Sequence, residues 1–190
     1  MSSNEAEQQH HLGNIHESID RANRLTEQLL TLARLDPMQA LPDAQPIDWQ
    51  RSAHQALQSV NLQAREKRVQ LKLECACGFG QVFPPLGNEV LLQLMLRNLL
   101  DNAIRYSPPN SHVTLTLDAN GLSVCDEGPG IAAEHLPRIR ERFYRPPGQS
   151  QQGSGLGLSI VERIADLHGL RLDLANADER GLCVHMIKAV

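Results

Sequence analysis

Aromatic side chains are scarce in this chain: Phe, Trp and Tyr together make up 3% of its 190 residues. A core built without them is mainly aliphatic, so each aromatic outside it becomes informative about ligand contact. No run of 18 or more apolar residues occurs and no signal peptide is visible, which predicts that these residues do not themselves cross a membrane. An excess of positive charge is lacking too. Eighteen basic and 22 acidic residues give a net charge of −4, which argues against general nucleic-acid binding. Paired zinc-type cysteine spacings are missing: cysteines stand at 75, 77, 125 and 183, and Cys75-Ala-Cys77 has no partner cluster nearby. The expectation is reduced, structural thiols in a cytosolic protein, rather than metal or disulfide chemistry.

Hydrophobic residues amount to 41%, enough for the core of one full domain with an appendage. Residues 10 to 35 carry Leu12, Ile15, Ile19, Ala22, Leu25, Leu29 and Leu32 at three- and four-residue steps, an amphipathic helix whose seam approaches a heptad. It has no apolar partner adjacent in sequence, so a hairpin or dimeric partner is expected. His10, His11 and His16 fit its solvated face. Asp36-Pro37 stops it, and the proline-rich residues 37–46 read as a linker.

A second domain, 47–190, follows. Ile47 to Trp49 is expected as a short edge strand, 50–66 as a helix, 69–75 as a strand and Gln81 to Phe83 as another short strand. A leucine-rich helix then starts near Leu86 and ends at Ser107-Pro108-Pro109. Residues 113–117 and 122–125 form a hairpin, 153–168 contains a helix capped by Gly169, and 170–175 and 182–188 are strands. Helices interleaved with strands that often meet through short turns indicate an α+β sandwich, a mixed sheet covered by helices on one face.

The leucine-rich helix carries the first chemical signal. Asn98 and Asn102 are four apart and Arg105 three further on, so all three project from one face. Amides inside such a helix need partners; two of them in register with an arginine suit a site for a cation and an anion. Asp126-Glu-Gly-Pro-Gly130 leaves a strand with an acid that can accept from an exocyclic amine and two glycines that let backbone approach a flat ligand. Gly153-Ser-Gly-Leu-Gly157 opens a helix, where backbone N–H groups and the helix dipole favour phosphate. A dinucleotide fingerprint needs a strand just before the glycines, but Gln149-Ser-Gln-Gln152 stands there. A P-loop needs Lys-Ser/Thr after them, but Leu158-Ser159 stands there. Between the motifs Arg138, Arg140, Arg142 and Arg145 surround Phe143-Tyr144, a mobile lid with cationic groups for a polyphosphate.

Four segments in order, Asn98-Leu-Leu-Asp-Asn102-Ala, Asp126-x-Gly128-x-Gly130, Arg142-Phe-Tyr-Arg-Pro146 and Gly153-Ser-Gly-Leu-Gly-Leu-Ser159, resemble the sensor histidine kinases of bacterial two-component systems. The wording of the lid and of Ile19-Asp-Arg-Ala-Asn-Arg-Leu looks nearest to QseC-type kinases, with PmrB-like kinases next. The resemblance implies a Bergerat-type (GHKL) sandwich that binds ATP and Mg²⁺. On that implication Asn98 and Asn102 hold the metal, Arg105 meets phosphate oxygens and Tyr106 covers the adenine. Asp126 accepts from the adenine amino group, with Gly128, Gly130 and Ile131 shaping that wall. Phe143, Tyr144 and Arg145 of the lid, with Gly153, Ser154, Gly155, Leu156, Gly157 and Leu158, wrap the phosphates.

The resemblance also implies what to expect around the domain. The family's His-Glu-x-x-(Arg/Lys)-(Ser/Thr)-Pro-Leu phosphoacceptor box does not occur here; His16-Glu17 lacks the Pro-Leu continuation, and the terminal glycine motif is reduced to Gly181. Residues 1–36 are then expected to be the second helix of a dimerisation hairpin, in the cytoplasmic portion of an inner-membrane sensor kinase. The expected partners are the helix bearing the acceptor histidine, a response regulator and a second copy in the full-length protein. The chain alone should bind ATP without phosphorylating itself. Two competitors remain: a GHKL ATPase, which carries Glu where Asn98 stands to activate water, and a nucleotide-dependent dimerising module without catalysis.

Overall fold

The computed structural model describes residues 3–76, 86–118, 121–148, 151, 153–177 and 180–189, with residues 3–14, 16–17 and 20–21 as helix backbone only. The strand expected at 81–83, Cys77, the side chains of His10, His11 and His16, and turn residues 119–120 and 178–179 lie outside that description.

Helix α1 spans Ser3–Leu35. Among its described side chains only those near its end are buried: Leu32 and Leu35 join the core, whereas Ile15, Ile19, Leu29 and Leu30 face outward. The partner of this end is α4 (Gly157–Leu167), far away in sequence, which local pattern could not reveal. Two residues of the expected linker, Gln45–Pro46, form β1 and pair antiparallel with β3, Leu86–Gly87. The edge strand expected at 47–49 is therefore displaced by two residues. Asp48 instead caps α2 (Trp49–Glu66), accepting from the Arg51 N–H at 3.0 Å. Likewise Leu86 belongs to a strand, and α3 (Glu89–Tyr106) begins behind Asn88, whose side chain accepts from the Leu91 N–H. In both places a side-chain cap decides where the helix starts, and apolar periodicity does not register it.

The main sheet has the order β2-β4-β5-β7-β6, built from Gln70–Cys75, His112–Asp118, Gly121–Asp126, Leu182–Lys188 and Leu170–Asn176. β2 runs parallel to β4, from Gln70 opposite His112 to Cys75 opposite Leu117. The remaining pairings are antiparallel. Alternation decides which face is covered. Val113, Leu115 and Leu117 of β4, Leu122 and Val124 of β5, and Val184 and Met186 of β7 are buried against α2, α3 and α4, while the residues between them lie on the other face. The result is the α+β sandwich expected from the sequence.

Cys125 and Cys183 correct the expectation of reduced thiols. They stand opposite one another on the last β5–β7 rung and form a disulfide, while Cys75 is free and exposed. Their separation of 58 residues hides the pairing, because it depends on the register of two strands joined through α4 and β6.

Candidate functional site

The sandwich encloses a cavity of about 1000 Å³ between the α3 face, the Asp126 loop, the lid and the start of α4. All residues expected at the site other than Gly128 and Leu156 line it. Leu156 is fully buried and anchors α4 from below.

At one end, α3 meets the glycines of α4. A Cβ on Gly157 would come within 3.1 Å of Asn102 Nδ2 and 3.5 Å of Asn98 Oδ1, so the α4 N-terminus lies close against both amides. Asn98 Nδ2 donates to Leu94 O at 2.8 Å, which satisfies its donor within the helix and leaves its oxygen at the cavity. Gly153 lies beside Arg105 and Arg145; a Cβ there would sit 3.1 Å from Arg105 Nη1 and 4.0 Å from Arg145 Nε. Arg145 donates through Nη2 to Gln151 O, but its buried Nε–H has no partner among the described residues. Burial and the nearby Arg24 and Arg145 charges lower the Arg105 pKa, with Tyr106 and Asp101 opposing. Cationic groups crowded at a helix N-terminus favour an anion between them.

At the other end stands Asp126, 8% exposed. Its Oδ1 accepts from the Gly128 N–H at 2.7 Å and the Leu182 N–H at 3.2 Å. Burial raises its pKa; the two N–H donors and the Lys67 charge pull it down. Gly128 is wedged between this carboxylate and Tyr106 O, where a Cβ would lie at 2.8 and 2.7 Å. Lys67 donates to Ile104 O at 2.9 Å and also to Arg105 O, closing the C-terminus of α3 behind the site. Sequence reasoning missed Lys67 and Asp101, which both line the cavity. Asp101 was legible between the two asparagines. Lys67 was not, since its role follows from α2 lying alongside α3.

The lid departs most from expectation. Arg138 pairs with Glu141 and stacks on the Tyr144 ring at 4.2 Å, Arg140 pairs with Glu162, and Arg142 pairs with Asp36 of the α1 end at 2.6 Å. Of the four arginines only Arg145 lines the cavity. Tyr144 shares a 2.8 Å hydrogen bond with His135, and Phe143 is 59% exposed with φ +63. The Phe143 N–H donates to Gly155 O, and a Cβ on Gly155 would strike the Phe143 backbone at 2.7 Å. The two motifs thus lock together through main chain. α1 also reaches the site: Ser154 donates to Gln28 Oε1 at 2.6 Å, and Arg24 and Gln28 line the cavity.

Residues 87–189 match the model of the histidine kinase-, DNA gyrase B- and HSP90-like ATPase family. The chain belongs to that family. Within it, the chain is 46% identical over 167 residues to the sensor protein QseC of Escherichia coli strain K12, covering 88% of this chain and 36% of that protein. The chain thus spans little over a third of that relative. The structure of the cytoplasmic segment of histidine kinase QseC superposes with a TM-score of 0.62 at 34% identity, covering 90% of this chain and 93% of that one. Full-length ShkA in complex with AMPPNP gives a TM-score of 0.75 at 26% identity, covering 97% and 40%. Membership in this family brings ATP use with it. No helix among the described residues is long and apolar enough to cross a membrane.

Proposed function

We propose that this chain is the ATP- and Mg²⁺-binding catalytic unit of a QseC-type sensor histidine kinase. It would transfer the ATP γ-phosphoryl group to a histidine outside residues 1–190, for relay to an aspartate of a response regulator. Residues 47–190 form the catalytic domain in this reading, 37–46 the linker, and 1–36 the second helix of a dimerisation hairpin in the cytoplasmic portion of an inner-membrane protein. The observation that carries it is the meeting of the Asn98–Asn102 face with the glycine N-terminus of α4, flanked by Arg105 and the unpartnered Arg145 Nε–H.

The donor set suits the ligands. Two side-chain amide oxygens are hard donors of the kind Mg²⁺ takes when phosphates supply the rest, and the described residues offer no His/Cys/Asp/Glu cluster for a softer metal. Bound there, the metal would neutralise phosphate charge. Asp126, kept in place by two N–H donors, accepts from the adenine amino group, with Gly128, Gly130, Ile131 and Tyr106 around the base. Arg105, Arg145 and the Gly153–Gly157 main chain hold the phosphates by charge and direction, the main work of phosphoryl transfer. A water-activating base is lacking at Asn98, because an amide cannot take a proton, which favours the kinase over an ATPase.

The outward apolar face of α1, with Ile15, Ile19, Leu29 and Leu30, favours one further reading, a dimerising module that responds to nucleotide without catalysis. Incubating the chain with labelled ATP, Mg²⁺ and a peptide bearing the acceptor-histidine helix separates them. Acid-labile label on the peptide supports the kinase; a complex without transfer supports the module. Stable label on this chain alone would overturn the assignment of the acceptor to another segment, and fast phosphate release would restore the ATPase.

A further inference from the structure

β5 ends at Asp126, and the Gly128–Ile131 main chain that follows has no strand paired with it among the described residues. A side chain takes the place of a strand. Asn176, the last residue of β6, accepts from the Ile131 N–H through Oδ1 at 2.8 Å and donates from Nδ2 to Ile131 O at 2.7 Å. β6 is not a neighbour of β5, since β7 lies between them, so this amide reaches past the start of β7 to the loop. A carboxamide offers one donor and one acceptor in the arrangement of a peptide group, and here it makes the two bonds that a neighbouring strand would make.

The surrounding glycines are explained by this clamp. Gly130 has φ +69, and a Cβ on it would meet Asn176 Oδ1 at 2.8 Å and Gly181 O at 3.3 Å. Gly181 has φ +103, and a Cβ there would overlap Asp126 O at 1.8 Å. The Ala177 N–H donates to Gly181 O at 3.0 Å, and the Leu182 N–H donates to Asp126. The β6–β7 end therefore grips the loop twice, at Asp126 from one side and at Ile131 from the other.

We propose that Asn176 is a positioning residue for the base-binding wall, setting the affinity for adenine nucleotides from behind the pocket; the proposal rests on the nucleotide reading of the site. Pro129, Gly130 and Ile131 line the cavity, while Asn176 does not. Gly128 and Gly130 give this stretch two soft joints. With Asn176 in place the loop is ordered before ligand arrives; without it, each binding event must order the loop, and affinity falls by that amount. Two bonds of ordinary strength, exposed to water, correspond to a loss of about tenfold.

The test uses the whole chain with Asn176→Leu, which removes both bonds at nearly constant size, and Asn176→Asp, which keeps the acceptor for the Ile131 N–H. Amide exchange followed by NMR reports on the clamp, and calorimetry with the Mg²⁺ complex of an ATP analogue reports on affinity. Tripolyphosphate, which lacks a base, serves as competitor. In Asn176→Leu the Ile131 amide should exchange faster while Val124 keeps its protection, and the analogue should bind about tenfold more weakly. Tripolyphosphate should compete as before, and Asn176→Asp should fall between. Unchanged Ile131 exchange, unchanged analogue affinity, or equal losses for analogue and tripolyphosphate would each overturn the proposal. Wild-type protein that binds neither compound would instead remove the nucleotide reading on which it rests, while Ile131 exchange would still show whether the clamp forms.

Discussion

Asn102 is the side chain on which α3 and α4 converge, since its amide faces the glycine that opens α4. Asn98 has its donor committed to Leu94 O, so it presents oxygen to the cavity a helical turn from the Asn102 amide. Truncating Asn102 to Ala removes one oxygen and leaves a small gap at the helix surface, with little loss of packing since the residue is only partly buried. Mg²⁺-dependent nucleotide affinity should fall about 100-fold or more, with the thermal midpoint nearly unchanged. Calorimetry with and without Mg²⁺ checks this, and equal affinities in wild type and variant would dismiss the metal assignment. The asparagines were legible because polar residues in register on a leucine-rich helix need a reason. The fate of the lid arginines was not. Arg140 and Arg142 are tied to Glu162 and Asp36, 22 and 106 residues away, and such pairings exist only after folding.

At the scale of elements, His168 joins the C-terminal end of α4 to the start of α3. Its Nδ1–H donates to Ile164 O at 2.8 Å, and Nε2 accepts from the Asn88 N–H at 3.1 Å, at the residue that caps α3. A proton on Nε2 would set two donors against each other. Burial lowers the pKa from 6.5. The folded state therefore binds this proton less readily than the unfolded chain, and stability rises with pH wherever the two differ. The contribution is complete above 6.5 and is lost as pH falls below it toward the lower folded value. Denaturation midpoints should drop between about pH 7.5 and about 5.5, and His168→Gln should flatten that dependence while lowering stability overall. An unaltered pH slope in the variant would exclude His168 as its source. The strands and helices themselves were legible from alternation and periodicity, but their starts at Asn88 and Asp48 follow from single capping bonds, and the register that joins Cys125 to Cys183 follows from tertiary pairing. That disulfide closes a loop of 58 residues, for which chain entropy alone gives about 4 kcal/mol. Oxidised protein should accordingly unfold at higher denaturant than Cys183→Ser, and identical midpoints would show that the bond adds no net stability.

On the scale of the molecule, the C-terminal end of α1 holds it to the sandwich most firmly. Leu32 and Leu35 are buried, Arg163 of α4 donates to Leu35 O at 3.2 Å, to Asp36 O at 3.4 Å and to Met38 O, and Arg142 holds the Asp36 carboxylate, whose pKa is lowered chiefly by that hydrogen bond. One arginine thus satisfies the carbonyls at the C-terminus of α1, where a basic group also complements the helix dipole. The Asp36–Arg142 pair is exposed and adds direction rather than strength. Arg163 is better shielded, and the carbonyls it serves would otherwise face the α4 surface with fewer donors. Because α1 contributes Arg24 and Gln28 to the cavity and Gln28 accepts from Ser154, its attachment is linked to the Gly153–Gly157 end of the site. Arg163→Ala should therefore speed amide exchange at Asp36 and Met38 and open residues 36–44 to proteolysis while the sheet keeps its protection. Nucleotide affinity should fall only a few-fold, because Asn98, Asn102 and Arg105 stay on α3. Asp36→Ala should do less on both counts. If Arg163→Ala left exchange and cleavage as they are, the burial of Leu32 and Leu35 would suffice to hold α1; if instead the sheet lost protection with it, α1 and the sandwich would unfold as a single unit.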